Sequence, residues 1–216
     1  MPDIFDEVQE ELRAERARKL GLQYGGMLAG LALAVLVGIG GWQGWQWYQH
    51  REATRSAEAF LEIHRTAEAP GADLKALGDR FATLAADSPD GYRMLARLRA
   101  AALKAETGDR EAALALWDQV AADGGAPQLY RDLANVMWVL HGLDTQDPAV
   151  LASRIAPLAT PGTAWGASAR ELQALVALRR GEKAEARRTL EALAADVTAP
   201  PGLRERASRL AAGLGV

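Results

Sequence analysis

The side chains able to do chemistry are few. The 216 residues contain no cysteine and three histidines, His50, His64 and His141, so thiol nucleophiles, thiolate metal sites and disulfides are excluded together. No two of the histidines stand at i,i+4 or another short ligand spacing, which leaves a metal centre without local support. Glu106, Asp109 and Glu111 cluster around Gly108, but acid–base work by paired carboxylates needs a cleft and shifted ionisation. Gly38-Ile39-Gly40-Gly41 sits inside an apolar run rather than after a strand, so it is no dinucleotide loop. Lys+Arg 25 against Asp+Glu 28 gives a net charge of −3, which offers no basic surface to a nucleic acid. Trp117, Trp138 and Trp165 read as packing residues, and any one left exposed becomes a contact for a partner. The chemistry on offer is recognition, with no cofactor and no enzyme activity expected.

The elements that must position such a surface begin with an anchor. Residues 20–49 carry no charge, and residues 25–42 are apolar or glycine up to a closing tryptophan. Residues 24–45 as a helix span about 33 Å at ~1.5 Å per residue, enough for a ~30 Å hydrocarbon core. Tyr24 marks one end, and Trp42, Trp45, Trp47 and Tyr48 mark the other, as interfacial aromatics do. The expected division is a charged amphipathic segment over 1–20, a transmembrane helix over 21–49, and a folded domain over 50–216. Arg13, Arg16, Arg18 and Lys19 precede the run, whereas Arg51 and Arg55 follow it. That bias keeps the amino end in the cytoplasm and exports the rest. A cleaved signal peptide is the rival, disfavoured by the long acidic flank and the aromatic cluster after the run.

Seven Leu, Ile and Val side chains in the run contribute on the order of −3 kcal/mol at ~−0.3 to −0.6 each, so the span is lean. Gly26, Gly30, Ala34 and Gly38 recur every fourth residue. Such a stripe either admits a second membrane helix at close range or reflects the glycine content usual in membrane helices. Ahead of the run, Asp3 can cap a helix whose Ile4, Phe5, Val8 and Leu12 share a stripe.

Beyond the anchor the chain repeats itself. The tripeptide Ala-Ala-Asp occurs at 85–87, 121–123 and 194–196. A shift of 73 residues pairs Gly108 with Gly181, Ala113 with Ala186, Pro127 with Pro200 and Arg131 with Arg204. Tyr92-Arg93-Met94-Leu95-Ala96 likewise matches Tyr130-Arg131-Asp132-Leu133-Ala134. A period near 36 means stacked units. Each unit reads as a helical hairpin: Gly108 and Gly181 close one helix, an acid opens the next, and Pro127 and Pro200 start the following pair. Ala101, Ala113, Ala174 and Ala186 fall where paired helices touch, while Leu77, Phe81, Trp117, Val120, Leu190 and Leu193 fill the spaces between.

The spacing predicts helices over 52–68 with 73–86, 91–107 with 110–123, 127–143 with 148–158, and 163–180 with 183–195, then a single capping helix over 202–213. The fold class is all-α: one transmembrane helix, then a solenoid of about four hairpins and a cap. In that register the first helix of each pair lines a concave groove, presenting Leu98, Arg99, Ala102 and Glu106, and likewise Glu171, Leu175 and Arg179. These side chains are the candidate contacts for a polypeptide, with ordinary solvent-facing roles as the alternative for any single one.

Glycine followed five residues later by Ala, nine later by a bulky apolar residue (Trp117, Leu190) and nineteen later by Pro resembles the tetratricopeptide repeat pattern. The aromatic usual in its first helix is replaced by Lys104 and Ala177. The whole layout resembles the ancillary SecYEG translocon subunit family of bacterial inner-membrane proteins: acidic first helix, basic flank, one span ending in aromatics, an immediate Ala57-Glu58-Ala59-Phe60 helix, then about four repeats. The resemblance implies a periplasmic repeat domain that contacts the SecYEG translocon and periplasmic chaperones and helps hand over exported polypeptides. A homo-oligomeric scaffold for envelope or division machinery is the alternative, and a membrane-tethered enzyme on another fold is a third class.

Overall fold

Two kinds of residue punctuate the chain. Gly108 (φ 88°) and Gly181 (φ 79°) take the left-handed conformation at helix ends, where a side chain is strained. Pro127 and Pro200 stand as the extended caps before the next helices. A computed structural model describes residues 4–215, with the side chains of 4–17, 20–23, 25, 28 and 32 outside the description. The elements are α1 (Ile4–Ala67), α2 (Leu74–Asp87), α3 (Asp90–Glu106), α4 (Arg110–Ala122), α5 (Gln128–Gly142), α6 (Pro148–Ile155) with a 3-10 turn at Ala156–Leu158, α7 (Gly166–Arg179), α8 (Lys183–Ala195) and α9 (Pro201–Gly213). No strand occurs among the described residues. The chain divides into two units, Met1–Glu52 and Ala53–Val216.

In the first unit the apolar side chains are bare. Leu31, Leu33, Val35, Leu36, Val37 and Ile39 are each more than half exposed, an arrangement that water does not favour. Among the described residues no helix is long and apolar enough to cross a membrane. The span expected over 21–49 includes Gly25, Leu28 and Ala32, which lie outside the described side chains, as do Asp3 and the Ile4, Phe5, Val8 and Leu12 stripe.

In the second unit each helix packs on the next in chain order from α2 to α9. The last turns of α1 join them through Phe60, whose ring meets Phe81 of α2 at 5.2 Å and Tyr92 of α3 at 6.4 Å. Alternate helices also touch, α5 with α7 and α7 with α9, as stacked hairpins must. Three apolar clusters run through the stack: Ile63, Leu77, Phe81 and Leu103 at one end; Trp117, Trp138, Leu151, Ile155 and Leu172 in the middle; Leu190, Leu193, Leu203 and Ala207 at the other. Each fully buried large side chain there contributes ~1.5–3 kcal/mol relative to leaving it in water. Ala101, Ala113, Ala174 and Ala186 are all at most 1 % exposed, so the helices do meet at their smallest residues. Trp117 (1 %) and Trp138 (9 %) are packing residues as expected.

Two boundaries differ from the periodicity. The sixth helix stops at Ile155 and tightens into a 3-10 turn containing Pro157, because proline removes an amide donor and crowds the carbonyl one turn back. The seventh begins at Gly166 rather than 163. Residues 160–163 form a turn in which the Thr163 hydroxyl donates to the Thr160 carbonyl at 2.8 Å. The backbone then passes so close that a Cβ at position 166 would lie 2.1 Å from that same oxygen, which only glycine tolerates.

Candidate functional site

Three helices of the second unit carry the same register. A shift of 38 residues takes α3 to α5, and 73 takes α3 to α7. Tyr92, Tyr130 and Trp165 are equivalent under those shifts, and each stands at the start of its helix. Tyr92 meets the ring of Phe60 on α1, and Trp165 Nε1 donates to the Leu129 carbonyl at the start of α5 at 2.8 Å. The first helices of successive hairpins are thereby tied side by side, and whatever they present outward forms one continuous surface.

The sequence-derived candidates fall on this surface unevenly. Leu98 and Leu175 are half-buried against the middle cluster, so they give the surface its apolar base. Arg99 is half-buried with Nε sealed from solvent and without a hydrogen-bond partner. Glu106 is exposed at the end of α3. Arg179 is exposed and its Nη1 donates to the Gln146 carbonyl at 3.3 Å, fastening α7 to the α5–α6 loop. Glu171 is different. It is only 8 % exposed and holds Arg206 of α9 through two hydrogen bonds, the Nη2–Oε2 one at 2.6 Å. The hydrogen bond from Glu171 raises the Arg206 pKa further above its ordinary value. Glu171 is therefore a tie between α7 and α9, and a partner meets Arg206 instead.

What the sequence reading passed over is α5. Leu129, Leu133, Met137 and Leu140 stand at spacings of four, four and three, one face of a helix. Leu129 is 46 % and Leu140 44 % exposed. Under the 38-residue shift Met137 corresponds to Arg99, Leu140 to Ala102 and Asp144 to Glu106. The Tyr92–Ala96 match to Tyr130–Ala134 already contained that information. The result is an apolar stripe on α5 with Arg99 and Glu106 on the α3 side and Arg179 on the α7 side.

The opposite side of the stack has a cleft of about 590 Å³ between α4 and α5, bounded by Arg110, Glu111, Leu114, Asp118, Trp138 and Gln146. The Arg154 guanidinium lies 4.1 Å above the Trp138 ring and pairs with Asp118, so the aromatic face is already covered. His141 stacks on Trp117 at 4.6 Å. Burial, with Arg110 adding repulsion, pushes its pKa down, so the imidazole packs as a neutral ring. His64 stands 3.4 Å from Glu68 one turn on. Among the described residues no group of three His, Asp or Glu side chains could hold a metal ion.

The candidate stripe in the first unit is open. Gly26, Gly30, Ala34 and Gly38 are exposed, and a Cβ added at any of those three glycines meets nothing within 4 Å. Compared with known proteins, the chain matches one family, described as a tetratricopeptide repeat-like domain, over residues 22–201. No curated protein and no solved structure matches it.

Proposed function

Since the chain belongs to the tetratricopeptide repeat-like family, we propose that its second unit binds segments of other polypeptides on the surface shared by α3, α5 and α7. Repeats of this family are typically protein-binding modules without enzymatic activity. The observation that carries the reading is the exposed apolar stripe of α5, with Leu129 and Leu140 near half exposure between the cations Arg99 and Arg179. An apolar stripe with charged margins suits an amphipathic helix or an extended strand of alternating character, whose apolar side chains take the stripe while its charges meet the rim.

In this reading the uncharged stretch 20–49 holds the unit at the bacterial inner membrane, with the amino end cytoplasmic and the repeat periplasmic. What supports it is the length of that stretch, its aromatic ends and the basic flank before it. The partners are the SecYEG translocon and periplasmic chaperones, and the work is handing over exported polypeptides. That finer identity rests on the resemblance of the layout to ancillary translocon subunits. Replacing Arg99 and Arg179 together with Glu tests the surface: recovery of SecYEG subunits and chaperones with the purified chain should fall at least tenfold while helicity is retained. Undiminished recovery would remove this surface from the function.

A further inference from the structure

The hairpins α2–α4 and α6–α8 repeat at 73 residues and differ at one interior place. In the first, Lys104 lays its stem along α2, its Cγ 3.6 Å from where a Cβ of Gly78 would stand. Its Nζ sits 2.7 Å from Asp79 Oδ1 and 3.6 Å from Asp109 Oδ2, and the side chain is only 14 % exposed. Asp109 also caps α4, its Oδ1 accepting from Ala112 N at 3.3 Å. Seventy-three residues on, Lys104 becomes Ala177, Asp79 becomes Ala152, Asp109 becomes Glu182 and Ala112 becomes Glu185.

The consequence is a cleft. Ala152, Ala156, Val176, Ala177, Glu182 and Glu185 bound a space of about 230 Å³, where the preceding unit holds a lysine side chain. Glu182 makes no side-chain cap to α8. Its Oε1 accepts from Arg180 Nη2 at 2.8 Å, and its Oε2 is buried without a hydrogen-bond partner. A buried carboxylate oxygen left without a donor is costly, and the nearest repeat shows which donor solves the problem.

We propose that this cleft receives a lysine side chain of a polypeptide partner, the stem lying against Ala152, Ala156 and Val176 and the ammonium donating to Glu182 Oε2, with Glu185 supplying a second negative charge. Lysine suits the site as a long apolar stem ending in a compact point charge. Arginine does not, because Arg180 already brings a guanidinium to Glu182. The inference deepens the reading of the repeat as a polypeptide-binding module, and the cleft shares no residue with the α5 stripe.

The test uses the full chain in phosphatidylcholine nanodiscs and the blocked peptide Ac-Ala-Ala-Lys-Ala-Ala-NH2, coupled with a water-soluble carbodiimide that joins amines only to carboxylates in contact. Mass spectrometry then maps the adducts. Adducts on Glu182 or Glu185 should exceed those on Glu205, whose side chain is 72 % exposed, at least tenfold. Ala177→Lys, which fills the cleft as Lys104 fills its counterpart, should lower them at least tenfold. Equal labelling of Glu205, or labelling unchanged in a folded Ala177→Lys chain, overturns the proposal. If circular dichroism shows that variant unfolded, the labelling ratio in the unaltered chain decides by itself. Failure here with capture through Leu140 intact removes this cleft alone, whereas loss of both removes the binding reading.

Discussion

Arg170 of α7 donates to Asp196, the C-cap of α8, at 2.5 Å, with the two side chains only 15 % and 16 % exposed. The same bond occurs one period earlier between Arg97 and Asp123 at 3.3 Å. In both units the acid also turns the following loop, accepting from Gly125 N and Thr198 N. One residue thus ends a helix, shapes the turn and ties that turn to the previous helix. The Ala-Ala-Asp tripeptide visible in the sequence is the trace of this tie.

Acid should undo it in a defined window. Hydrogen bonds from Thr198 and then Arg170 hold the Asp196 pKa at about 2, down from 3.8. A carboxylate with a depressed native value stabilises the fold above its unfolded pKa and loses that contribution as the pH falls through the native one. Asp196→Asn should therefore lower the thermal midpoint at pH 7, and the gap to the unaltered chain should close between about pH 4 and pH 2. Circular dichroism melts across that range are the check.

His141 should respond at milder pH. Its pKa is pushed below the ordinary 6.5 by burial, then by Arg110, so the unfolded chain takes up the proton more readily than the fold does. Stability is full above about pH 6.5 and declines as the pH falls below it. His141→Phe keeps a ring on Trp117 and should flatten the change in melting temperature between pH 7.5 and 5.5.

Trp117 is 1 % exposed at the centre of the middle cluster. Trp117→Ala should cost about 3–5 kcal/mol by lost burial and the cavity left behind. The measurement is the urea midpoint by circular dichroism, and a loss under about 1 kcal/mol would mean the α4–α5 interface is not as tightly packed as described.

The two turn glycines should behave alike and independently. Gly108→Ala and Gly181→Ala each force a side chain into positive φ, at 88° and 79°, for roughly 1–2 kcal/mol apiece. Seventy-three residues apart, they should add in the double variant within about 0.5 kcal/mol.

Local signals were legible and long-range ones were not. Gly108, Gly181, Pro127 and Pro200 announced helix ends because their backbone preferences are intrinsic to one residue. Pro157 was visible too, yet periodicity alone carried that helix three residues too far. The pairing of Glu171 with Arg206 joins residues 35 apart on two helices, and no spacing within either helix announces it. The stripe on α5 was missed for another reason: α6, which completes its hairpin, is short and broken, and the divergence of that unit hid the register it shares with α3.

The account's central claim is that the face of α5 touches other polypeptides. A photo-crosslinking amino acid placed at Leu140 of the full chain in living cells, beside the same probe at Glu191 on α8, measures this directly. The account predicts adducts at 140 whose masses identify exported polypeptides, chaperones or translocon subunits, and few at 191. Equal yields from both positions, or none from Leu140, would contradict it.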